Sequence, residues 1–171
     1  MQIRECTYND IPLLIEISIQ SYREHYTYLW HDGGEGYIQA NFNYNQLKKE
    51  MSDLNSVFFL LLSEEKAIGI LKLNVDKGVN NYTPEESLEL ERIYFIKEAS
   101  GKGLGKETID FVTGFTKHRN KKRLWLKTMD GSKAFGFYEK QGFSSMGETY
   151  LSYPNIRDEY KKVIIFCKEI H

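Results

Sequence analysis

The 171-residue chain contains 41% apolar and 27% charged residues, which is typical of a globular protein with one hydrophobic core. Its formal net charge of −1 leaves no overall attraction to nucleic acids or acidic membranes. We therefore expect one domain over residues 1–171 that binds neither nucleic acid nor a membrane.

The sequence carries no pattern typical of a targeting, membrane or metal-binding segment. Residues 1–10 lack the cationic start and apolar run of a signal peptide, and the longest wholly apolar run, residues 57–62, is too short to span a bilayer. Cys6 and Cys167 lie at opposite ends of the chain, and the four histidines lack metal-ligand spacing. These features predict a cytoplasmic protein without a metal.

In the first half of the chain the pattern predicts a strand followed by two helices and a hairpin. The strand covers residues 3–6, and Asp10 with Pro12 marks the start of an amphipathic helix. Residues 31–36 are predicted as a loop and residues 45–51 as a second helix. The hairpin strands are predicted at residues 57–63 and 67–75.

In the second half, strands and helices alternate. Apolar periodicity predicts strands at 87–96, 123–128, 143–150 and 161–168, and helices at about 103–119 and 132–141. This order predicts a mixed α/β (α+β) fold with a mostly antiparallel sheet of about seven strands and helices on both faces.

A glycine-rich stretch from Gly101 to Lys106 lies between a strand and a helix. Glycine lets a ligand approach the main chain, and a helix N-terminus attracts anions, so this stretch is a candidate phosphate site. The alternative is a tight connection. Walker A and dinucleotide-binding templates both fail, because Glu107 follows Lys106 and Lys106 replaces the third glycine.

A second motif, taken together with the glycine-rich stretch, indicates one protein family. Residues 100–105 and the segment from Ala134 to Phe143 resemble the paired motifs Arg/Gln-x-x-Gly-x-Gly/Ala and Ala-x-x-Phe-Tyr-x-x-x-Gly-Phe of the GNAT superfamily of acetyl-CoA-dependent N-acetyltransferases. Ser100 replaces the usual Arg or Gln, and Gly131 replaces a common Asn. Within the superfamily, residues 87–94 together with 103–106 are similar to the PaiA-type bacterial spermidine/spermine acetyltransferases.

The resemblance implies how acetyl-CoA is bound. Its pyrophosphate would be bound by the backbone amides of six consecutive residues, Gly101, Lys102, Gly103, Leu104, Gly105 and Lys106. The backbone of Ile93, Tyr94 and Phe95 would pair with pantetheine as an added strand, and an amide there would stabilise the oxyanion. Tyr138 matches the family tyrosine near the sulfur, where it would contact the cofactor and protonate the thiolate. A buried core tyrosine is the alternative.

The acceptor amine needs a group that removes its proton. Strand alternation predicts that Glu89 and Glu91 share one face of their strand with Ile93 and Phe95, while Leu88, Leu90 and Tyr94 share the other. Glu91, directly or through water, is our candidate base, and Glu89 would attract a cationic amine. The alternatives for these carboxylates are a solvated strand face or pairing with Arg92 and Lys72. Tyr26 and Trp30 could bind the ammonium through their aromatic faces, although helix packing explains them equally well.

These residues predict direct transfer of acetyl to a small-molecule primary amine such as spermidine or spermine, with acetyl-CoA as co-substrate. Neither cysteine has the context of a nucleophile, so an acyl-enzyme is not expected. The alternatives are a protein or peptide amine as acceptor and a non-catalytic acyl-CoA-binding regulator. A homodimer is compatible with the sequence, which does not specify the oligomeric state.

Overall fold

The computed structural model describes all residues, Met1–His171. Its strands are β1 Gln2–Glu5, β2 Ser56–Ser63, β3 Lys66–Asn74, β4 Ser87–Phe95, β5 Arg123–Met129, β6 Ser144–Tyr150 and β7 Lys162–Glu169. Its α-helices are α1 Ile11–His25, α2 Glu35–Asn41, α3 Tyr44–Met51, α4 Leu104–His118 and α5 Lys133–Lys140.

All seven strands form one sheet in the order β1-β2-β3-β4-β5-β7-β6. Every neighbouring pair is antiparallel except β4 and β5. A parallel pair needs a crossover connection, and α4 supplies it. The predicted α/β fold with a mostly antiparallel sheet is confirmed.

Helices cover both faces of this sheet. On the face covered by α1 and α3, which we call the α1 face, the ring of Tyr22 lies 5.9 Å from that of Tyr94 in β4. On the opposite α4 face, Phe111 of α4 lies 5.2 Å from Phe59 of β2, and Phe135 of α5 packs against β7. Both layers share a core of buried aliphatic residues.

One helix was missed by the sequence prediction. Residues 31–36 were expected to form a loop, but α2 begins inside this stretch at Glu35. Gly34 supplies the left-handed φ of +87° that turns the chain into the helix, and the Glu35 carboxylate lies in its first turn. The glycines therefore mark a helix start as well as a turn.

The predicted alternation of side chains along β4 is also wrong beyond Leu90. Leu90 pairs with Leu73 and Arg92 pairs with Lys72, so Glu91 is an extra residue in a β-bulge. A bulge shifts the alternation by one residue. Arg92 and Tyr94 consequently share the α1 face with Glu89, whereas the simple pattern had placed Tyr94 on the face of Leu90.

Candidate functional site

The central strands β4 and β5 separate and leave a cleft between them. They pair only from Ser87 to Leu90 and from Arg123 to Leu126, although both strands continue. The cleft has a volume of about 980 Å³ and is lined by both strands, including Ile93, Tyr94 and Phe95. Beyond Leu90, β4 thus has a main-chain edge that β5 does not occupy, which suits an added extended ligand.

The glycine loop presents a row of free main-chain donors. The amides of Gly101, Lys102, Gly103, Leu104 and Gly105 donate to no acceptor within the chain. Left-handed φ values of +76° at Gly101 and +78° at Gly103 turn the loop onto α4, whose N-terminus carries positive partial charge. This arrangement can hold a phosphate group.

Lys106 has a different environment from the five preceding residues. Its amide donates to the Gly103 carbonyl at 3.1 Å, and its Nζ lies 2.6 Å from an oxygen of Asp110. The run of free main-chain donors therefore ends at Gly105, and the cofactor contact of Lys106 stays a prediction. A Cβ on Gly105 would lie 3.3 Å from the ring of Phe137, so this glycine also allows α4 to approach α5.

Tyr138 belongs both to the lining of the cleft and to the hydrophobic core. Its side chain is buried, its ring lies 5.2 Å from Phe137 and 5.7 Å from Phe143, and it lines the cleft. Burial raises the pKa of its phenol well above the ordinary value. Tyrosine is already protonated at neutral pH at its ordinary pKa of about 10, so the phenol has a proton to donate, and the raised pKa makes it a weaker acid. The ring is packed in the core, as the alternative interpretation of Tyr138 expected. Because Tyr138 also lines the cleft, its role as the proton donor stays a prediction.

Glu91 is held in a network of ion pairs. Its Oε2 lies 2.7 Å from Lys72 Nζ and accepts a hydrogen bond from Asn74, and its Oε1 lies 3.2 Å from Arg92. Lys72 and Arg92 also pair with Glu50 of α3, at 2.7 and 2.9 Å. These contacts match the alternative considered for Glu91, pairing with Arg92 and Lys72.

Glu89, unlike Glu91, forms no ion pair. It is 6% exposed, lies in the cleft and makes one hydrogen bond, from Asn74 Nδ2 to its Oε2 at 2.8 Å. Burial raises the pKa of Glu89 above its ordinary value; the Asn74 hydrogen bond opposes this rise, and the charge of Glu91 adds to it. A buried carboxylate in a cleft with a raised pKa is a candidate proton acceptor.

The two aromatic residues predicted to bind the acceptor amine, Tyr26 and Trp30, have different surroundings. Tyr26 packs 5.4 Å from Tyr94, and burial raises the pKa of Tyr26 to about 12. Trp30 donates its indole N–H to Tyr22 Oη at 3.0 Å and is 4% exposed. Both predicted residues line the cleft, but Trp30 is also a packed residue of the small aromatic core.

Sequence reasoning missed several residues that line this cleft. Tyr37 lies on the unpredicted helix α2, and Tyr153 lies in the connection after β6. Asn74 was also missed, although the sequence contains a signal for it. Lys72 and Asn74 are polar residues two apart, and residues 67–71 and 73 of the same strand carry no polar side chain, so the pair marks one strand face as polar.

Two further features bear on the sequence predictions. No helix of the protein is long and apolar enough to cross a membrane. No group of three or more His, Cys, Asp and Glu side chains is arranged to hold a metal ion.

Comparison with known proteins agrees with this geometry. A protein of Lactobacillus delbrueckii subsp. lactis, described as an uncharacterized N-acetyltransferase in the pepI 3′ region, is 28% identical over 152 residues, which cover 86% of this chain and 87% of the relative. The crystal structure of PaiA N-acetyltransferase from Thermoplasma acidophilum, in complex with coenzyme A, matches with a TM-score of 0.75, 21% identity and 98% coverage of both chains.

The fold alone does not distinguish acceptors. A ribosomal-protein-alanine N-acetyltransferase from Brucella melitensis superposes with a TM-score of 0.74, at 17% identity and 99% coverage of both chains. The family assignment rests on the sequence: the model of the acetyltransferase (GNAT) family matches residues 16–143. This chain therefore belongs to the GNAT family of N-acetyltransferases.

Proposed function

We propose that this acetyltransferase moves an acetyl group directly from acetyl-CoA to a primary amine, with a polyamine as acceptor. The observation that carries the proposal is the meeting of two features at one cleft. The free amides of residues 101–105 follow directly on Ser100, which lines the cleft, and the edge of β4 that β5 leaves unpaired lines the same cleft at Ile93, Tyr94 and Phe95. We further propose that residues 1–171 act as one domain, since the sheet extends from Gln2 to Glu169.

The residues present fit acetyl-CoA. Five free amides and a helix N-terminus suit a pyrophosphate without any help from Ser100, because main-chain donors suffice for an anion. The β4 edge at Ile93, Tyr94 and Phe95 suits the amides of pantetheine. When bound, acetyl-CoA supplies the thioester carbon that the amine attacks.

Proton transfer is assigned to Glu89 and Tyr138. An alkyl ammonium has a pKa near 10.4 and must lose a proton before it attacks. Glu89 accepts that proton through its free oxygen, whereas both oxygens of Glu91 are engaged. As the carbon–sulfur bond breaks, Tyr138 donates its phenolic proton to the departing sulfur. Glu91 accordingly takes the role of a structural anion beside the base.

The acceptor end of the cleft favours a long cation. Aromatic faces and the Glu89 carboxylate, which forms no ion pair, attract an ammonium group. At Asn74, Lys77 and Glu91 the cleft meets a second cavity of about 480 Å³, whose lining is entirely polar. When one amine of a polyamine lies beside Glu89, a second amine of the same molecule can lie in this polar cavity. A protein or peptide amine remains the alternative acceptor.

The test combines calorimetry with acetyl-CoA and a thiol-release assay over a panel of amines. We expect acetyl-CoA binding, and thiol release that saturates at low concentrations of spermidine or spermine. Faster release with extended peptides would replace the polyamine by a protein acceptor. Binding without release for any amine would instead identify an acyl-CoA-binding regulator.

Replacement of Tyr138 by Phe tests the proton donor. Tyr138→Phe should lower kcat by about tenfold or more, since general acid catalysis typically contributes 10²–10⁴ and a thiol of pKa near 8.5 already leaves readily. The Kd for acetyl-CoA should stay unchanged, because the ring remains in place. Steady-state kinetics and calorimetry measure the two quantities, and full turnover by the variant would refute the role.

Replacement of Gly103 by Ala tests the phosphate loop. A Cβ at φ +78° strains the left-handed conformation by about 1–2 kcal/mol, so Gly103→Ala should weaken acetyl-CoA binding by about tenfold in calorimetry. The control is Gly114→Ala in the middle of α4, where a Cβ meets nothing within 4 Å. That variant should bind acetyl-CoA normally, and equal weakening in both variants would argue against the loop.

A further inference from the structure

Asn74 bridges the two carboxylates of β4. Its Nδ2 donates one hydrogen bond to Glu89 Oε2 at 2.8 Å and another to Glu91 Oε2 at 2.7 Å. The other end of the amide is also engaged, because Ser56 Oγ donates to Asn74 Oδ1 at 3.1 Å. Both the nitrogen and the oxygen of the Asn74 amide are therefore hydrogen-bonded within the protein.

The strand register explains why these groups meet. Asn74 is paired with both Ser56 of β2 and Glu89 of β4, so all three side chains point to the α1 face. The bulge at Glu91 brings a second carboxylate to the same amide. Ionised carboxylates can only accept hydrogen bonds, which fixes the amide nitrogen toward them and the oxygen toward Ser56.

We propose that Asn74 is a positioning residue that holds Glu89 apart from the neighbouring ion pairs and leaves one of its oxygens free for the acceptor amine. This inference rests on the proposed base role of Glu89. Without the amide, the Glu89 carboxylate would have no hydrogen-bond partner in the chain. Its side chain could then turn toward Lys72 or Arg92, which already bind Glu91.

The charges around Glu89 set the direction of the expected effect. Glu91 faces it from the same strand, Lys127 from β5 and Lys77 from the segment after β3. Lys72 and Arg92 act mainly on Glu50 and Glu91, with which they pair. The Asn74 hydrogen bond favours the ionised form of Glu89, so its loss would raise the pKa of Glu89 further.

The test is the pH dependence of kcat/KM in the isosteric variant Asn74→Asp. This change removes both donated hydrogen bonds and adds a like charge beside Glu89. We expect the acidic limb of the profile to move to higher pH by about one pH unit. The plateau at high pH should fall as well, because Glu89 is no longer held away from Lys72 and Arg92, whereas the Kd for acetyl-CoA should remain close to that of the native enzyme. Ser56→Ala removes only the hydrogen bond to Asn74 Oδ1 and leaves the Asn74 amide free to rotate. It should move the acidic limb to higher pH as well, but by less than Asn74→Asp does.

The control is Asn45→Asp, which makes the same change on the exposed surface of α3 and should leave the profile in place. An acidic limb that stays at its native position in both Asn74→Asp and Ser56→Ala would overturn the positioning role. The base role is judged separately with Glu89→Gln. If that variant lacks the acidic limb while the Asn74 and Ser56 variants keep it, only the inference about Asn74 fails. A native profile in Glu89→Gln would remove both.

Discussion

Replacement of Glu89 by Gln is expected to reduce kcat/KM at pH 7 by about 10²–10⁴-fold, the usual contribution of general base catalysis. Glutamine keeps the size of the side chain and can still bond to Asn74, but it cannot accept the proton of the ammonium. Acetyl-CoA binding should be unchanged, since the proposed phosphate loop starts beyond β4 at Gly101. Thiol release with the best amine of the panel measures the loss.

The pH profile gives this prediction a second readout. A base must be ionised to act, and burial raises the pKa of Glu89, so native kcat/KM should fall as the pH drops through that raised pKa. The Glu89→Gln variant should lack this acidic limb. Glu91→Gln is the matched control two residues away, and it should retain the limb. Loss of the limb only in Glu91→Gln would return the base role to Glu91.

Replacement of Lys72 by Met should lower the free energy of unfolding by about 3 kcal/mol, the lower end of the range for breaking a buried ion pair. Lys72 is 6% exposed at its side chain and pairs with both Glu50 and Glu91. Arg92 still contacts both carboxylates after the change, which limits the loss. Denaturant titration measures the effect.

The same titration at several pH values checks the cause. Burial opposes ionisation of Glu50, but Arg92 and Lys72 outweigh it and lower the pKa of Glu50. The stability gained from a lowered pKa is present above the unfolded-state value and is lost as the pH falls through the folded-state value. The difference in the free energy of unfolding between the native protein and Lys72→Met should therefore become smaller at acidic pH.

Lys66→Met is the control for this prediction. Lys66 lies on the same strand and pairs with Glu98 at 3.1 Å, but both side chains are mostly exposed, at 63% and 71%. An exposed ion pair contributes less than about 1 kcal/mol. Equal destabilisation by the two replacements would show that burial of the network is not the cause.

Local signals in the sequence were sufficient to predict most of the fold. The hairpin of β2 and β3 was found because two apolar runs flank a short charged turn, and α4 because a glycine stretch precedes an apolar stripe. The family followed from two motifs, residues 100–105 and the segment around Tyr138, and the family model confirms it. Each of these features is encoded within a few neighbouring residues.

The acceptor site depends on contacts that a single sequence does not encode locally. The bulge at Glu91 arises from the pairing of β4 with β3 and reverses the side-chain alternation after Leu90. The pairing of Lys72 with Glu50 joins a strand to a helix 22 positions away along the chain. Period-two reasoning therefore placed Glu89 and Glu91 on one strand, but it could not show that Glu91 lies in an ion-pair network and that Glu89 forms no ion pair.

The separation of β4 from β5 has a consequence for how this enzyme could be altered. Donors on the main chain are present whatever side chain a residue carries, so the coenzyme binding that we propose along residues 93–95 and 101–105 should tolerate many substitutions that respect the glycine conformations. The aromatic side chains on the α1 face could then be exchanged while the coenzyme is still held. Variants of Tyr26 and Tyr37 should therefore redirect the enzyme to new amines without a rebuilt coenzyme site.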